Sequence, residues 1–336
     1  FRIWKKHGYT TGLIGKNHCF QQADKDAYFD VWCEIGHHGF PEGGETKGMQ
    51  WWRERSEVEK AHAVRNNMPV QTDHFGSAVT DFPLEDYSTG LVAGQTVRVL
   101  EQQGDKPFAL WVSFPDPHTP LEAPAHYAEQ FPPDSLTLPP WQREEFDRNS
   151  PERNRVLHRM LGIEDDSTRD VRQALGVYYA MVRFIDDAMG RIMDSLSALG
   201  LRENTIVVFT SDHGDFMGEH MMINKGGLFY DCLTRVPLIV SWPGHVPEAT
   251  ADDSMVNLVD IPPTLLSLQG IDSPKNMDGS PLPSVTNAAP RDATFSEYGA
   301  GGPPFTFGDL ERLDTPAGLP ALMGSLQPRE AEGRRK

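Results

Sequence analysis

A strand-like segment that runs directly into metal-ligand residues constrains this chain more than any other feature. Thr205 to Thr210 is β-branched and aromatic, as is typical of a strand buried on both faces, and Ser211-Asp212-His213-Gly214 follows at once. Ligands bind at the carboxyl ends of strands in open α/β sheets. Asp212 offers a carboxylate and His213 an imidazole, so the segment predicts half of a metal site. The alternative interpretation of these residues alone is a polar turn after a buried strand.

Two further segments have the same form. Phe108 to Phe114 is an apolar run of strand length that Pro115 to Pro120 interrupts, which places His118 on a stiff loop suited to a general acid or base. Tyr9 to Ile14 is a short strand that ends in Gly15-Lys16-Asn17-His18, where a cation and an imidazole are two positions apart. Each residue alone is also consistent with an ordinary loop or surface side chain. Together, the three strand ends predict one cluster of functional groups at one edge of one sheet.

These segments resemble the signatures of the sulfatases, a family of the alkaline phosphatase superfamily. Gly8-Tyr9-Thr10-Thr11 followed by Gly15-Lys16-Asn17-His18 is similar to the second sulfatase signature. Ser113-Phe114 with Pro117-His118-Thr119-Pro120 resembles the family's central histidine loop. Ser211-Asp212-His213-Gly214, with Gly218-Glu219-His220 and Lys225, resembles its distal metal and lysine segment. The resemblance covers roughly Phe1 to Tyr298.

The resemblance implies an α/β fold of the alkaline-phosphatase type, doubly wound, with a mainly parallel sheet between helices. Residues 1–300 would form the catalytic domain, and 301–336 a linker or the start of a small carboxyl-terminal subdomain. The order of elements predicted from periodicity agrees, because helices and strands alternate along the chain. The predicted helices cover Thr89–Gln102, Thr168–Leu199 and Asp260–Leu268, and further strands cover Pro237–Trp242 and Ala293–Tyr298.

The segment from Asp30 to Asp86 is predicted to be irregular and is rich in Trp, Glu, His and Gly. Long insertions over an active face usually select the substrate. His37 and His38 lie in this segment, and two adjacent loop histidines are expected to be solvated.

One departure from the family pattern concerns the nucleophile. The family uses formylglycine, which is made from Cys or Ser in a Cys/Ser-x-Pro-x-Arg loop, and no such pattern occurs in the 336 residues. The paired aspartates that share the family's metal are absent as well. Both features normally precede the Gly-Tyr-x-Thr segment, so we expect them, with the first strand or strands of the sheet, in a segment before Phe1. The small carboxyl-terminal sheet is also expected to be incomplete.

The metal implied by the resemblance would be bound by Asp212 and His213. Calcium prefers sites made only of oxygen atoms, so an imidazole ligand favours Mn²⁺, Fe²⁺ or Zn²⁺ on chemical grounds. Sulfatases that resemble this chain generally hold calcium even where His is a ligand. The resemblance therefore implies Ca²⁺, with a transition metal as the alternative.

The resemblance also implies roles for the remaining site residues. Lys16 and Lys225 would hold the sulfate oxygens, and Lys225 lies thirteen positions after the first metal ligand, as in sulfatases with the Asp-His motif. His118 would protonate the leaving oxygen, and His18 would orient the formylglycine hydrate. His220 is predicted either to touch the substrate or to be a packed histidine.

These groups are suited to transfer or hydrolysis at a tetrahedral oxyanion. The resemblance implies hydrolysis of a small-molecule sulfate monoester by a protein that a formylglycine-generating or sulfatase-maturing enzyme has processed. One alternative is a phosphonate monoester hydrolase or phosphodiesterase of the same superfamily. Another is an inactive binding protein with the sulfatase fold. The sequence does not determine the ester, the oligomeric state or the localisation.

Composition excludes several other classes of protein. The formal charge of −17, from 48 acidic and 31 basic residues, argues against a nucleic-acid or anionic-membrane partner. No segment approaches the roughly 18 consecutive apolar residues of a membrane helix, and no signal-peptide pattern opens the chain. The chain has three cysteines, Cys19, Cys33 and Cys232, which we expect to be reduced and partly buried rather than paired in disulfides. Such cysteine usage favours a cytoplasmic location.

Overall fold

The computed structural model describes residues 1–37, 47–48, 54, 56, 59–60, 63, 76–146, 150–163, 168–296 and 306–308. The chain divides into two compact units, Phe1–Leu138 with Glu164–Gly200 and Pro139–Ile163 with Leu201–Lys336. Most of the predicted irregular segment from Asp30 to Asp86, His38 included, lies outside the described residues.

Helices and strands alternate through the described residues. The strands are β1 (Thr10–Gly15), β2 (Val31–Glu34), β3 (Ser77–Thr80), β4 (Phe108–Ser113), β5 (Leu121–Pro124), β6 (Val207–Thr210) and β7 (Leu238–Ser241). The α-helices are α1 (Arg2–Lys6), α2 (Lys25–Tyr28), α3 (Ser88–Gln103), α4 (Ala125–Ala128), α5 (Glu152–Leu161), α6 (Thr168–Ala198), α7 (Asp231–Thr234), α8 (Ile261–Leu268) and α9 (Pro283–Thr286).

Parallel strands organise the first unit. β1 lies between β2 and β4 and is parallel to both, and β3 pairs with β5, again in parallel. Parallel neighbours require crossover connections, and α3 supplies the helical part of the connection that leads into β4. The predicted α/β fold with a mainly parallel sheet is confirmed.

Side chains of β1 are buried on both faces of the sheet. Leu13 packs with Phe29 and Trp32 on one face. Ile14, the next residue, packs on the other face in a cluster that includes Leu91 and Val92 of α3. Successive side chains of a strand point to opposite faces, so two apolar layers explain why β1 lacks the polar alternation of a half-exposed strand.

The two long helices of the first unit match the predicted ones closely. α3 begins one residue before the predicted Thr89 and ends one residue after Gln102, and Gly104 follows in a left-handed conformation at φ +57°. α6 covers the predicted Thr168–Leu199 helix except for its last residue. Its buried residues recur at steps of three and four, and the helix packs against α3 and β5.

The second unit corrects two predictions about strands. β6 pairs with β7 and the pair is antiparallel, so this pair departs from the predicted mainly parallel sheet. β6 and β7 are also partly exposed rather than buried on both faces, because each has one paired neighbour among the described residues. The predicted strand Ala293–Tyr298 is wrong for residues 293–296, which form none, and its last two residues lie outside the description.

The core of the second unit surrounds α5. Val156, Leu157 and Leu161 of this helix pack with Phe216 and Met222, which belong to the chain that follows β6. These five side chains are almost completely removed from solvent. Burial of each stabilises the unit by about 1.5–3 kcal/mol relative to exposure, which fixes the segment after β6 on the helix.

None of the helices in the described residues has both the length and the apolar character that a membrane span requires.

The Asp260 carboxylate is a buried polar anchor of the second unit, and its removal should be costly. Its oxygens accept hydrogen bonds from Arg291 at 2.6 Å, from the Ser280 backbone at 2.9 Å and from the Asn257 backbone at 2.7 Å. Asp260→Ala leaves these donors unpaired, so we expect the free energy of unfolding to fall by about 3 kcal/mol in urea titrations. Asp253→Ala, at an exposed carboxylate, should change it by less than about 0.5 kcal/mol. Equal effects of the two substitutions would contradict the assigned role.

Candidate active site

The loops that carry Lys16 and His118 leave the sheet side by side. Gly15 of β1 is in register with Ser113 of β4, and the Lys16 amide donates a hydrogen bond to the Ser113 carbonyl at 2.9 Å. Gly15 has φ +106°, and a Cβ atom there would lie 1.9 Å from the Ser113 carbonyl oxygen. Only glycine fits where the two backbones approach so closely, and this contact holds the ends of β1 and β4 side by side. The prediction that both loops start from one sheet edge is confirmed.

Asn17 fixes the turn between Lys16 and His18. Its side-chain amide donates to the Phe20 carbonyl at 2.8 Å and also to Glu34, while its side-chain oxygen accepts from the backbone amides of Cys19 and Phe20. Lys16 is half-buried and His18 is exposed. The turn therefore keeps a cation and an imidazole in fixed positions near the sheet edge.

His118 is held in one orientation by its own loop. Its Nδ1 lies 2.6 Å from the Thr119 carbonyl oxygen, and a carbonyl can only accept, so Nδ1 carries the hydrogen. Nε2 is thereby the ring nitrogen that can take up and release a proton. The ring of His37 lies 4.5 Å from that of His118, centroid to centroid. His37 was expected to be solvated, but it is half-buried and packs against the candidate acid.

A half-buried carboxylate anchors the His118 loop to helix α3. Asp116 accepts hydrogen bonds from the hydroxyls of Ser88 and Thr89, which form the first turn of α3. Burial raises the pKa of Asp116, and the hydrogen bonds from Thr89 and Ser88 oppose the shift. Sequence analysis missed this residue, because nothing in a proline-rich loop indicates which helix its polar side chain will contact.

In the second unit, Asp212 and His213 present two ligand atoms close together at the end of β6. His213 Nδ1 donates to the Gly214 carbonyl at 2.8 Å, and Nε2 lies 3.6 Å from Asp212 Oδ2. A metal-bound histidine typically donates its second ring N–H to a backbone carbonyl or carboxylate in this way. The carboxylate is 78% exposed and the imidazole 38%, so both are accessible to an ion. The pair fits part of a metal site, with an oxygen and a nitrogen donor.

Lys225 and His220 lie in the chain that follows these ligands. Lys225 is half-buried in a loop. Its charge lowers the pKa of Asp215, but burial has the larger effect and raises that pKa to about 6. His220 is half-buried, bonds to Glu145 through Nδ1 at 2.9 Å and packs on the Tyr230 ring. These contacts favour the packed interpretation of His220 over substrate contact.

A protein-family model described as Sulfatase matches residues 1–271 of the chain.

The chain belongs to the sulfatase family.

Individual relatives agree with this membership. An arylsulfatase of Clostridium perfringens is 28% identical over 313 residues, which are 88% of this chain and 63% of the arylsulfatase. A choline-sulfatase of Rhizobium meliloti is 26% identical over 313 residues, 88% of this chain and 58% of that protein. The solved phosphonate monoester hydrolase from Silicibacter pomeroyi has a TM-score of 0.67 at 21% identity, covering 92% of this chain and 66% of that one. The sulfatase chain thus spans about three fifths of these curated relatives, and the structural likeness shows the fold.

Two residues that sequence analysis did not single out help to position candidate site residues of the sulfatase chain. Asp116 anchors the His118 loop to α3, and Glu145 bonds to His220. Asp116 lies 27 positions from Thr89, and Glu145 lies 75 positions from His220. Periodicity and local motifs report on neighbours within a few residues, so these contacts carried no signal in the sequence.

The thiols of the sulfatase chain should differ sharply in reactivity. Burial raises the pKa of Cys33 and of Cys232 to about 12, whereas Cys19 is exposed. At pH 8 a thiol with a pKa near 12 is about 10⁻⁴ ionised, and the thiolate is the reactive form. Titration of the metal-free protein with a disulfide reagent should show one fast thiol, and all three after unfolding. A fast phase that survives in Cys19→Ser would contradict this assignment.

Proposed function

We propose that the protein containing this chain hydrolyses sulfate monoesters of small molecules. Membership of the sulfatase family supports the reaction class. The observation that carries the proposal is the shared sheet edge at which Gly15 and Ser113 meet. It fixes a lysine and a histidine whose chemistry suits an anionic ester with a poor leaving group.

The proton for the leaving oxygen comes from His118 in this proposal. Cleavage of the sulfur–oxygen bond of an alkyl sulfate leaves an alkoxide, which needs a proton as the bond breaks. Nδ1 keeps its hydrogen bond to the Thr119 carbonyl, so the proton for the leaving oxygen comes from Nε2. Proton transfer then leaves a neutral imidazole, and water supplies the proton that restores it.

Charge stabilisation is assigned to the two lysines. A sulfate ester carries negative charge on its non-bridging oxygens, and fixed cations stabilise that charge as it grows in the transition state. Lys16 follows Gly15, whose backbone the sheet holds in place, and Lys225 lies in a loop near the half-buried Asp215. We assign both side chains to the sulfate oxygens and assign no contact with the substrate to His220.

The nucleophile is assigned to formylglycine in a part of the protein outside these 336 residues. The given residues contain no Cys/Ser-x-Pro-x-Arg sequence, and the relatives are longer than this chain. Formylglycine would supply the attacking oxygen, and His18 would orient it. A formylglycine-generating or sulfatase-maturing enzyme is therefore a partner in this proposal.

A divalent metal is assigned to Asp212 and His213, with the remaining ligands outside these residues. When bound, the metal would act as a Lewis acid on a sulfate oxygen and the nucleophile. We propose Ca²⁺. The Nε2 donor of His213 is the specific observation that favours a transition metal instead, and with it the second candidate, a phosphonate monoester hydrolase.

The test compares two substrates on the protein purified at its natural length. We expect kcat/KM for nitrophenyl sulfate to exceed that for the nitrophenyl ester of phenylphosphonate by more than tenfold. The reverse order would favour the phosphonate monoester hydrolase. Binding of a sulfate ester without turnover of either substrate, in protein shown by mass spectrometry to carry formylglycine, would establish the binding protein and reject hydrolysis.

A further inference from the structure

A thiol, an imidazole and a carboxylate converge in the second unit, on residues other than Asp212 and His213. One ligand atom each from Glu219, His220 and Cys232 lies within 4.8 Å of the other two. Glu219 and His220 belong to the 3₁₀ turn Glu219–Met221, and Cys232 belongs to α7. Thiolate, imidazole and carboxylate are the ligand types that proteins use for Zn²⁺.

His220 has the outer contacts of a metal-binding histidine. Its Nδ1 lies 2.9 Å from both carboxylate oxygens of Glu145. An ionised carboxylate has no hydrogen to donate, so these oxygens act only as acceptors. Nδ1 is therefore the donor, which leaves the Nε2 lone pair for a cation. Tyr230 donates its hydroxyl to Glu145 Oε1 at 3.0 Å, and its ring lies 3.8 Å from that of His220. Carboxylate–histidine–zinc arrangements have this form.

The backbone around the cluster is tied down on both sides. Trp141 donates its indole N–H to the Gly218 carbonyl at 3.1 Å, which anchors the residue before Glu219. On the other side, Cys232 is half-buried and packs against the apolar core around α5. The three ligand residues are thus positioned by contacts that do not depend on a bound ion.

The charges in the cluster also favour a cation. The exposed Glu219 carboxylate lies beside the half-buried Cys232 thiol. A divalent ion would neutralise the thiolate and the carboxylate together.

We propose that Glu219, His220 and Cys232 form a Zn²⁺ site with a fourth position open to water. Binding forms a bond from zinc to each residue, and the Cys232 thiol loses its proton to solvent. Glu145 is a positioning residue, because it acts through the His220 ring. The site has a sulfur ligand, which separates it chemically from the oxygen and nitrogen donors of Asp212 and His213.

Cobalt(II) tests the site in the purified protein at its natural length, after chelators have removed bound metal. Cobalt bound by a thiolate gives a charge-transfer band in the near ultraviolet, and cobalt at Asp212 and His213 gives none. We expect this band when cobalt is added in excess over both sites, and its loss when zinc is then added in the same excess. Absence of the band in the unsubstituted protein would overturn the proposal.

Variants show which residues carry the band. Cys232→Ser should abolish it, and Cys19→Ser, at an exposed thiol, should leave it unchanged. Glu145→Gln should weaken cobalt binding about 10- to 100-fold while the band itself remains, as expected of a positioning residue. Because Glu219 is exposed, we expect Glu219→Gln to remove one ligand without disturbing the fold. Unchanged cobalt affinity in Glu219→Gln, or a band in Cys232→Ser, would overturn the site.

Discussion

Replacing His118 by alanine is expected to slow hydrolysis of an alkyl sulfate by about 10²- to 10⁴-fold, the usual contribution of a general acid. Hydrolysis of nitrophenyl sulfate should slow far less, because nitrophenolate leaves without protonation. The hydrogen bond from Nδ1 to Thr119 fixes the ring, so the whole effect depends on the proton at Nε2. The measurement is kcat/KM for both esters, with the protein at its natural length.

His126→Ala is the matched control for this substitution. His126 lies on α4, is exposed and has its ring against Tyr127 at 4.0 Å. Its loss should leave both rates within about twofold of the original. Equal slowing of the two esters by His118→Ala would show that His118 supports the loop rather than the leaving group.

Replacing Asp212 or His213 by alanine should lower both the metal content of the protein and its rates of hydrolysis. Each change removes one of two ligand atoms that lie 3.6 Å apart. A metal ion contributes several kcal/mol of transition-state stabilisation, so we expect both esters to slow by at least about 10²-fold. Elemental analysis should show one metal ion fewer per protein in each variant than in the unsubstituted protein, and the ion that is lost identifies the metal as calcium or a transition metal.

Asp272→Ala controls for the loss of a carboxylate as such. Asp272 belongs to the same unit and is exposed. This variant should retain both metal and activity. Full metal content in Asp212→Ala and His213→Ala would reject their assignment as ligands, whatever the rates.

The sequence predicted the helices and the strand ends because those features depend on neighbours. A 31-residue helix such as α6 repeats its apolar stripe many times, so its bounds are well defined in the sequence. Strand β4 ends where Pro115 begins a proline-rich loop, and that chemical boundary placed His118 correctly. Lys16 was located in a similar way, because the short strand β1 gives way directly to Gly15-Lys16-Asn17-His18.

Pairing and packing between distant segments could not be predicted in this way. Nothing in the β6 sequence indicates that its described partner is antiparallel β7. An apolar strand pairs through its backbone, which is the same in every candidate neighbour. The contacts of Asp116 with α3 and of Glu145 with His220 likewise join polar side chains whose partners are set by the tertiary fold.

The close approach of the Gly15 and Ser113 backbones limits which residue can occupy position 15. A side chain of any size at Gly15 would collide with backbone atoms, so no compensating change in another side chain can make room for it. The separation of the two loop origins is therefore set by a position that accepts only glycine, and the Gly15 clash places no such limit on the loop residues that follow.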